Sequence, residues 1–190
     1  MAHDRVDTVS ISPADFERQV EAWLRKAARG LSQLRVANRS ELEGPGGQYE
    51  IDLVVEFEAL GGALMTVLVE CKHYGTSNPI RRDTVMTLHA KLQEVGAHKG
   101  MLFSTSAFQT GALRYAKAHG IALVRVQDGH SFHYESKDYG PPRQPAPWAP
   151  QYKYVGWLES LTDEGNLSRH LVADDYHDAI REWLHPDPGA

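Results

Sequence analysis

The chain has 190 residues, 42% of them hydrophobic, and carries a net charge of −5, enough for one domain with a buried core and an added segment. No apolar run approaches the ~18 residues that span a bilayer, and Met1 to Arg5 lead into polar sequence rather than a secretory apolar stretch. The single cysteine, Cys71, excludes an intramolecular disulfide and a cysteine zinc cage, so a reducing cytoplasm is the expected compartment.

The acidic balance argues against a nucleic-acid partner until its distribution is considered. Residues 1–150 hold 17 Lys/Arg and 17 Asp/Glu, whereas residues 151–190 hold 3 and 8. The tail carries the excess, and a neutral main body can still hold a local basic groove.

In chain order, Ser12-Pro13-Ala14-Asp15 reads as a helix start: serine at the N-cap, proline in the first turn, an acid at the third position. Phe16, Val20, Trp23, Leu24, Ala27 and Leu31 follow at helical spacing, with Gly30 as a stop. A short strand over 34–37 precedes an expected loop over 38–48, which contains Gly44-Pro45-Gly46-Gly47. Two β-rich runs, 49–58 and 63–72, meet around Gly61-Gly62 as a hairpin. Val85, Leu88, Leu92 and Val95 mark a second helix. Residues 100–104 read as a buried strand and 107–119 as a third helix stopped by Gly120. Residues 121–126 form a further strand, with another expected near 131–135 after Asp128-Gly129.

This order predicts an α/β fold, a mixed sheet with helices on both faces. The catalytic domain is expected over 12–136. Five of the ten prolines fall between Pro141 and Pro150, so 137–151 reads as a linker. Residues 152–190 are expected to form a small, separable acidic appendage, with a strand over 152–158 and an amphipathic helix over 173–184.

The chemistry concentrates at Asp52, Glu70 and Lys72. Glu70-Cys71-Lys72 ends an apolar strand, where alternation points Glu70 and Lys72 one way and Cys71 the other. A carboxylate and an amine there are costly unless paired or used. Asp52 and Glu70 are each nine residues from Gly61, so a turn centred on Gly61 sets them opposite each other. An odd-length turn is required; an even one would turn Asp52 towards the face of Cys71. Two carboxylates so close repel unless a cation lies between them, and oxygen ligands of this kind suit Mg²⁺. The competing reading is a structural pair of salt bridges to Lys72.

Asp52 followed by Glu70-x-Lys72 at a strand end resembles the PD-(D/E)xK nuclease signature. The surroundings resemble its Mrr-like restriction endonuclease branch over roughly residues 12–126: Phe16-Glu17 in the first helix, a Gly-rich loop before the Asp, and Glu70-Cys71-Lys72-His73-Tyr74. Asn78-Pro79-Ile80, Gly96-Ala97-His98-Lys99-Gly100, Phe103 to Phe108 and Gly120-Ile121-Ala122-Leu123 complete the ordered set. The resemblance implies a restriction-endonuclease-like fold and hydrolysis of DNA phosphodiesters with Mg²⁺, or Mn²⁺ in its place. It assigns metal binding to Asp52 and Glu70, water activation or phosphate contact to Lys72, and a supporting acidic role to Glu17. Members of this branch often carry Gln where Glu70 stands. His89 and Lys91 lie on the second predicted helix, where relatives place a polar residue near the site.

Other features have plain alternatives. Glu17 is equally a first-turn acid favoured by the helix dipole. Arg81, Arg82 and Lys91 are candidate nucleic-acid contacts, the arginines also readable as a solvated pair. His130-x-x-His133 reads as a hairpin surface feature, Ser104-Thr105-Ser106 as helix capping, and Trp157, Tyr176 and Trp183 as tail packing. Tyr152 and Tyr154 leave base stacking open. Three functions compete: a DNA endonuclease, a silent binding module on the same fold, and a nuclease directed by a protein partner or by a second copy of itself. No zinc finger, helix-turn-helix or long basic arm is evident.

Overall fold

The computed structural model describes residues 9–59, 61–75, 77–129 and 151–185. The first helix, α1 (Pro13–Ala27), begins where the sequence places it: the Asp15 amide donates to Ser12 Oγ at 3.1 Å. Its apolar stripe, Phe16, Val20, Trp23 and Leu24, is fully buried. The remaining elements are β1 (Ser32–Gly44), β2 (Gly47–Ala59), β3 (Ala63–Lys72), α2 (Arg82–Val95), β4 (Lys99–Ser104), α3 (Thr110–His119), β5 (Ala122–Asp128), β6 (Tyr154–Leu161), β7 (Leu167–Val172) and α4 (Asp178–Leu184).

The seven strands form one sheet in sequence order. The first three are antiparallel, β3, β4 and β5 are parallel, and β6 and β7 return antiparallel. The parallel strands are buried on both faces, as their near-continuous hydrophobic runs require. One apolar cluster lies under α1 and α4 and includes Leu53, Val55, Val67, Val69 and Phe103. The other lies under α2 and α3 and includes Ile51, Val54, Leu68, Leu102 and Leu123. The predicted mixed sheet with helices on both faces is therefore what the chain builds.

Three expectations are corrected. The loop expected over 38–48 is the far half of β1 and its turn into β2: Ser40 pairs with Ile51 and Gly44 with Gly47. This edge strand alternates between half-buried and exposed residues, so its polar sequence hides a strand whose backbone is satisfied by β2. Glycine at position 44 is required by packing, because a Cβ there would lie 2.6 Å from the Glu94 carbonyl oxygen.

The second correction concerns the expected appendage. Residues 154–172 continue the sheet from β5, and Tyr154, Val172, Ile180 and Leu184 belong to the same buried cluster as Trp23. Lys99, at the start of β4, donates to the carbonyls of Trp183 and Leu184 at 2.5 and 3.0 Å, closing the end of α4. Asp163, Glu164, Asp174, Asp175, Asp178 and Glu182 are exposed while Tyr154, Val172, Ile180 and Leu184 enter the core; composition alone could not separate the two. The third correction is that the expected helix over 173–184 is confined to α4, with β7 and a turn before it. The linker over 137–151 lies almost wholly outside the described residues, as do the strand expected near 131–135, His130 and His133.

Among the described residues, no helix is long and apolar enough to cross a membrane.

Candidate functional site

The site forms where β2 and β3 part. Ala59 pairs with Ala63, leaving a three-residue turn, and Gly61 and Gly62 there take positive φ of 78° and 116°. The odd loop length expected from parity is therefore present. The ladder runs to Leu53 opposite Val69, one step short of Asp52 opposite Glu70.

At that step the strand turns over. Leu53 packs in the cluster under α1 and Ile51 in the cluster under α2, although strict alternation would put both on one face. Asp52 occupies the crossover. Its Oδ2 accepts the backbone N–H of Cys71 at 2.6 Å, so its carboxylate reaches across to the backbone between Glu70 and Lys72. Its side chain borders a cavity on the α1 side that is also lined by Glu17 and Arg39, whereas Glu70 lines a cavity beneath α2. The expected placement of the two carboxylates opposite each other on one face is therefore corrected: the turnover of β2 separates them.

Glu70 and Lys72 face α2, as alternation predicts, and Cys71 turns back towards the α1 cluster. Glu70 is only 4% exposed. Lys72 Nζ donates to Glu70 Oε2 at 2.6 Å and Lys91 Nζ, from α2, donates to Oε1 at 2.5 Å. Lys91 also donates to the Glu50 carbonyl at 2.9 Å. Two ammonium groups thus neutralise one buried carboxylate, which a buried ion requires. Glu70, Lys72, Lys91, Asp83 and Thr87 line a cavity beneath α2.

The electrostatics of the two sides differ. Burial pushes the Asp52 carboxyl above its ordinary range; the Cys71 amide works against this, while the Glu70 charge and, more weakly, Glu17 add to it. The Lys72 charge also works against the rise, but burial and the neighbouring carboxylates prevail. Burial alone would lower the Lys72 ammonium, but its hydrogen bond to Glu70 and the charge of Glu70 outweigh it, leaving Lys72 above its ordinary value and protonated. The Cys71 thiol is raised chiefly by burial, which suits a packing role rather than a nucleophile.

The other candidates separate. Glu17 borders the Asp52 cavity and meets Arg39 Nη2 at 3.4 Å. Lys91, expected on the nucleic-acid surface, instead reaches Glu70. His89 lies away from the carboxylates, stacked on Tyr115 and His119 with ring centroids at 5.8 and 4.2 Å. Arg82 lies 5.3 Å from the Tyr115 ring centroid. Arg81, exposed, takes the N-cap position of α2 without a side-chain cap. Thr105 clamps the chain beyond Lys72: its Oγ1 accepts from the Tyr74 amide at 2.9 Å and donates to the Tyr74 carbonyl at 2.8 Å. Sequence reasoning missed Arg39 and read Ser104-Thr105-Ser106 as helix capping, whereas α3 is preceded by Gln109 without a side-chain cap and Thr105 holds the Tyr74 backbone. Among the described residues, no three His, Cys, Asp or Glu side chains gather closely enough to hold a metal by themselves.

Comparison with known proteins bears on these residues as a group. Residues 8–132 match the catalytic-domain model of the Mrr family, described as a restriction endonuclease. No curated protein matches. Among solved structures, a protein of unknown function, AF1548, is 22% identical with a TM-score of 0.46, over 57% of this chain and 55% of that one. The DNA modification-dependent restriction endonuclease AspBHI is 14% identical with a TM-score of 0.34, over 65% of this chain and 35% of that one. The chain thus spans about half the length of the first and about a third of the second. The family match runs from before α1 to just past β5 and encloses Asp52, Glu70 and Lys72, and on that ground the chain belongs to the Mrr restriction endonuclease family.

Proposed function

We propose that the protein is a Mg²⁺-dependent endonuclease that hydrolyses DNA phosphodiester bonds, acting in restriction, defence or repair. The observation that carries this reading lies at the parting of β2 and β3: Asp52 accepts from the Cys71 amide, between Glu70 and Lys72 in β3, and Lys72 donates to Glu70. The donor chemistry fits a hard cation: two carboxylates, one of them raised by burial and by its neighbour. Asp52 and Glu70 would hold Mg²⁺, or Mn²⁺ in its place. When bound, the metal would neutralise phosphate charge and make a water more acidic.

The chain's own residues divide the remaining work. The Cys71 amide orients the Asp52 carboxylate. Glu70 holds Lys72 protonated, so its ammonium serves as a hydrogen-bond donor to the phosphate or the attacking water rather than as a base. Glu17, beside Asp52, adds negative charge to the same pocket. Arg81 and Arg82, at the start of α2, are candidate phosphate contacts.

The test is incubation of the purified chain with plasmid, linear and single-stranded nucleic acids over a series of divalent metals. Asp52→Asn, Glu70→Gln and Lys72→Ala should each abolish Mg²⁺-dependent cleavage while circular dichroism stays that of a folded protein. The double carboxamide variant should be little worse than either single one, because residues acting as a unit are not additive. Full cleavage by folded Lys72→Ala or Asp52→Asn would place the active site elsewhere.

One observation favours a second reading, a nuclease opened by its substrate or by a protein partner. Both Glu70 oxygens are engaged by lysines, so Lys91 must give way before Oε1 meets a metal. Cleavage that appears only when a partner or a second copy is supplied would select this reading.

A further inference from the structure

Arg39 has a backbone unusual for a strand residue. It lies in the middle of β1 with φ of 44°, in the left-handed region that a residue with a Cβ enters only at a cost. Gln33, at φ 53°, falls within the register shift between Ser32 and Arg35. At Arg39 the offset is kept, with Asn38 paired to Leu53 and Ser40 to Ile51, but the ladder skips the Arg39–Asp52 step. That register sets Arg39 directly across from Asp52, where β2 turns over.

Its side chain is loosely held. The guanidinium meets Glu17 at 3.4 Å and remains 69% exposed. The contact is longer than a close charge-assisted hydrogen bond, and so exposed a pair contributes little to the fold. Glu21, on the same wall of the cavity, is already satisfied by Asn38 at 2.8 Å and by Arg25. A strained backbone thus holds a loosely partnered cation at the mouth of the cavity that contains Asp52. A strained residue with a loosely held charge beside a candidate site points to use there.

We propose that Arg39 is a substrate-binding residue whose guanidinium contacts a backbone phosphate of the nucleic acid beside the position of Asp52. This rests on the nuclease reading of the same site. The strained position directs the fork-shaped donor along the α1 side of the cleft, opposite the lysines of the α2 side. A guanidinium suits this task because it can bind phosphate oxygens through two parallel N–H groups. Glu17 holds it loosely in the free protein and is released when phosphate takes its place.

The experiment measures binding of the full chain to duplex DNA in chelator, which halts metal-dependent cleavage, across a salt series. Each phosphate contact contributes about 0.9 to the slope of log affinity against log salt. Arg39→Gln should bind more weakly and lose about 0.9 of slope, a single contact. Arg39→Lys should retain the slope with reduced affinity, keeping charge but not the fork. Arg35→Gln, the same charge change on the same strand, should lose less. Arg39→Gly should raise the midpoint of thermal unfolding, because glycine accepts the positive φ, and yet lose the same slope as Arg39→Gln. Wild-type binding with an unchanged slope in Arg39→Gln or Arg39→Gly would overturn the inference alone. An equal loss in Arg35→Gln would overturn it too, by reducing the effect to net charge. Failure of the wild type to bind duplex at all would overturn it together with the nuclease reading.

Discussion

The two sides of the cleft hold their acids by opposite means. On the α2 side, Glu70 is nearly inaccessible and each oxygen has an ammonium within 2.6 Å. On the α1 side, Asp52 has one backbone amide, and the nearby arginine is turned to Glu17 instead. The first carboxylate is stabilised by its surroundings and the second is destabilised by them. The contrast teaches that burial alone does not set an acid's surroundings: paired ammonium groups do so at Glu70, and a backbone amide at Asp52. Glu70 and its lysines lock β3 to α2, while a bound cation would offset the burial of Asp52.

The strongest challenge to this comparison removes what supports the α1 side. A chain ending near residue 150 loses Tyr154, Val172, Ile180 and Leu184 from the cluster that packs α1. Each buried side chain of this kind contributes roughly 1.5–3 kcal/mol, and the sum rivals the whole stability of a domain, about 5–15 kcal/mol. Cooperative thermal unfolding should vanish in the truncated chain. A truncated protein that still unfolds cooperatively would restore residues 152–190 as an appendage.

Neutralising each acid in turn sharpens the contrast, because the two changes should have opposite signs. Glu70→Gln leaves two partly buried ammonium groups without their counter-charge and should cost about 1–3 kcal/mol. Asp52→Asn should stabilise the fold near neutral pH, since the amide oxygen can still accept from Cys71 and the cost of a buried charge is gone. The pH dependence follows from the raised Asp52 carboxyl. Its stability contribution is fully present below its ordinary value of 3.8 and is lost as pH rises through the higher folded value. The advantage of Asp52→Asn should therefore be absent below that ordinary value, grow as pH rises and then level off. Thermal unfolding across pH measures both variants, and a loss of stability in Asp52→Asn at pH 7 would mean that Asp52 is as well compensated as Glu70.

The smallest expected effect concerns Lys91. Removing its ammonium in Lys91→Met leaves Glu70 Oε1 open to a metal without competition. Mn²⁺ affinity, read from the thermal shift, should improve about tenfold, equivalent to ~1.4 kcal/mol. Weaker Mn²⁺ binding would mean that Lys91 holds Glu70 in place for the metal rather than competing with it.

Much of this protein was determined by the sequence itself. The cap at Ser12, the stripe from Phe16 to Ala27 and the stop at Gly120 follow from local rules that act within a few residues. The alternation of Glu70, Cys71 and Lys72 was legible, and counting about Gly61 gave the register as far as Leu53 opposite Val69, because a hairpin's register follows from counting, but it could not show that β2 turns over at Asp52. Only the tertiary structure decided the rest. That Asp52 lies at a turnover of β2, that Lys91 reaches Glu70 and that Arg39 is held at positive φ all depend on contacts between elements far apart in sequence. The same holds for the C-terminal strands: the acidic excess of residues 151–190 comes mostly from the turns and α4 around them, whereas the strands' place in the sheet was set by pairing with β5 and by apolar residues packing beneath α1. Local pattern fixes which face of an element is apolar; which partner covers that face is a property of the assembled core.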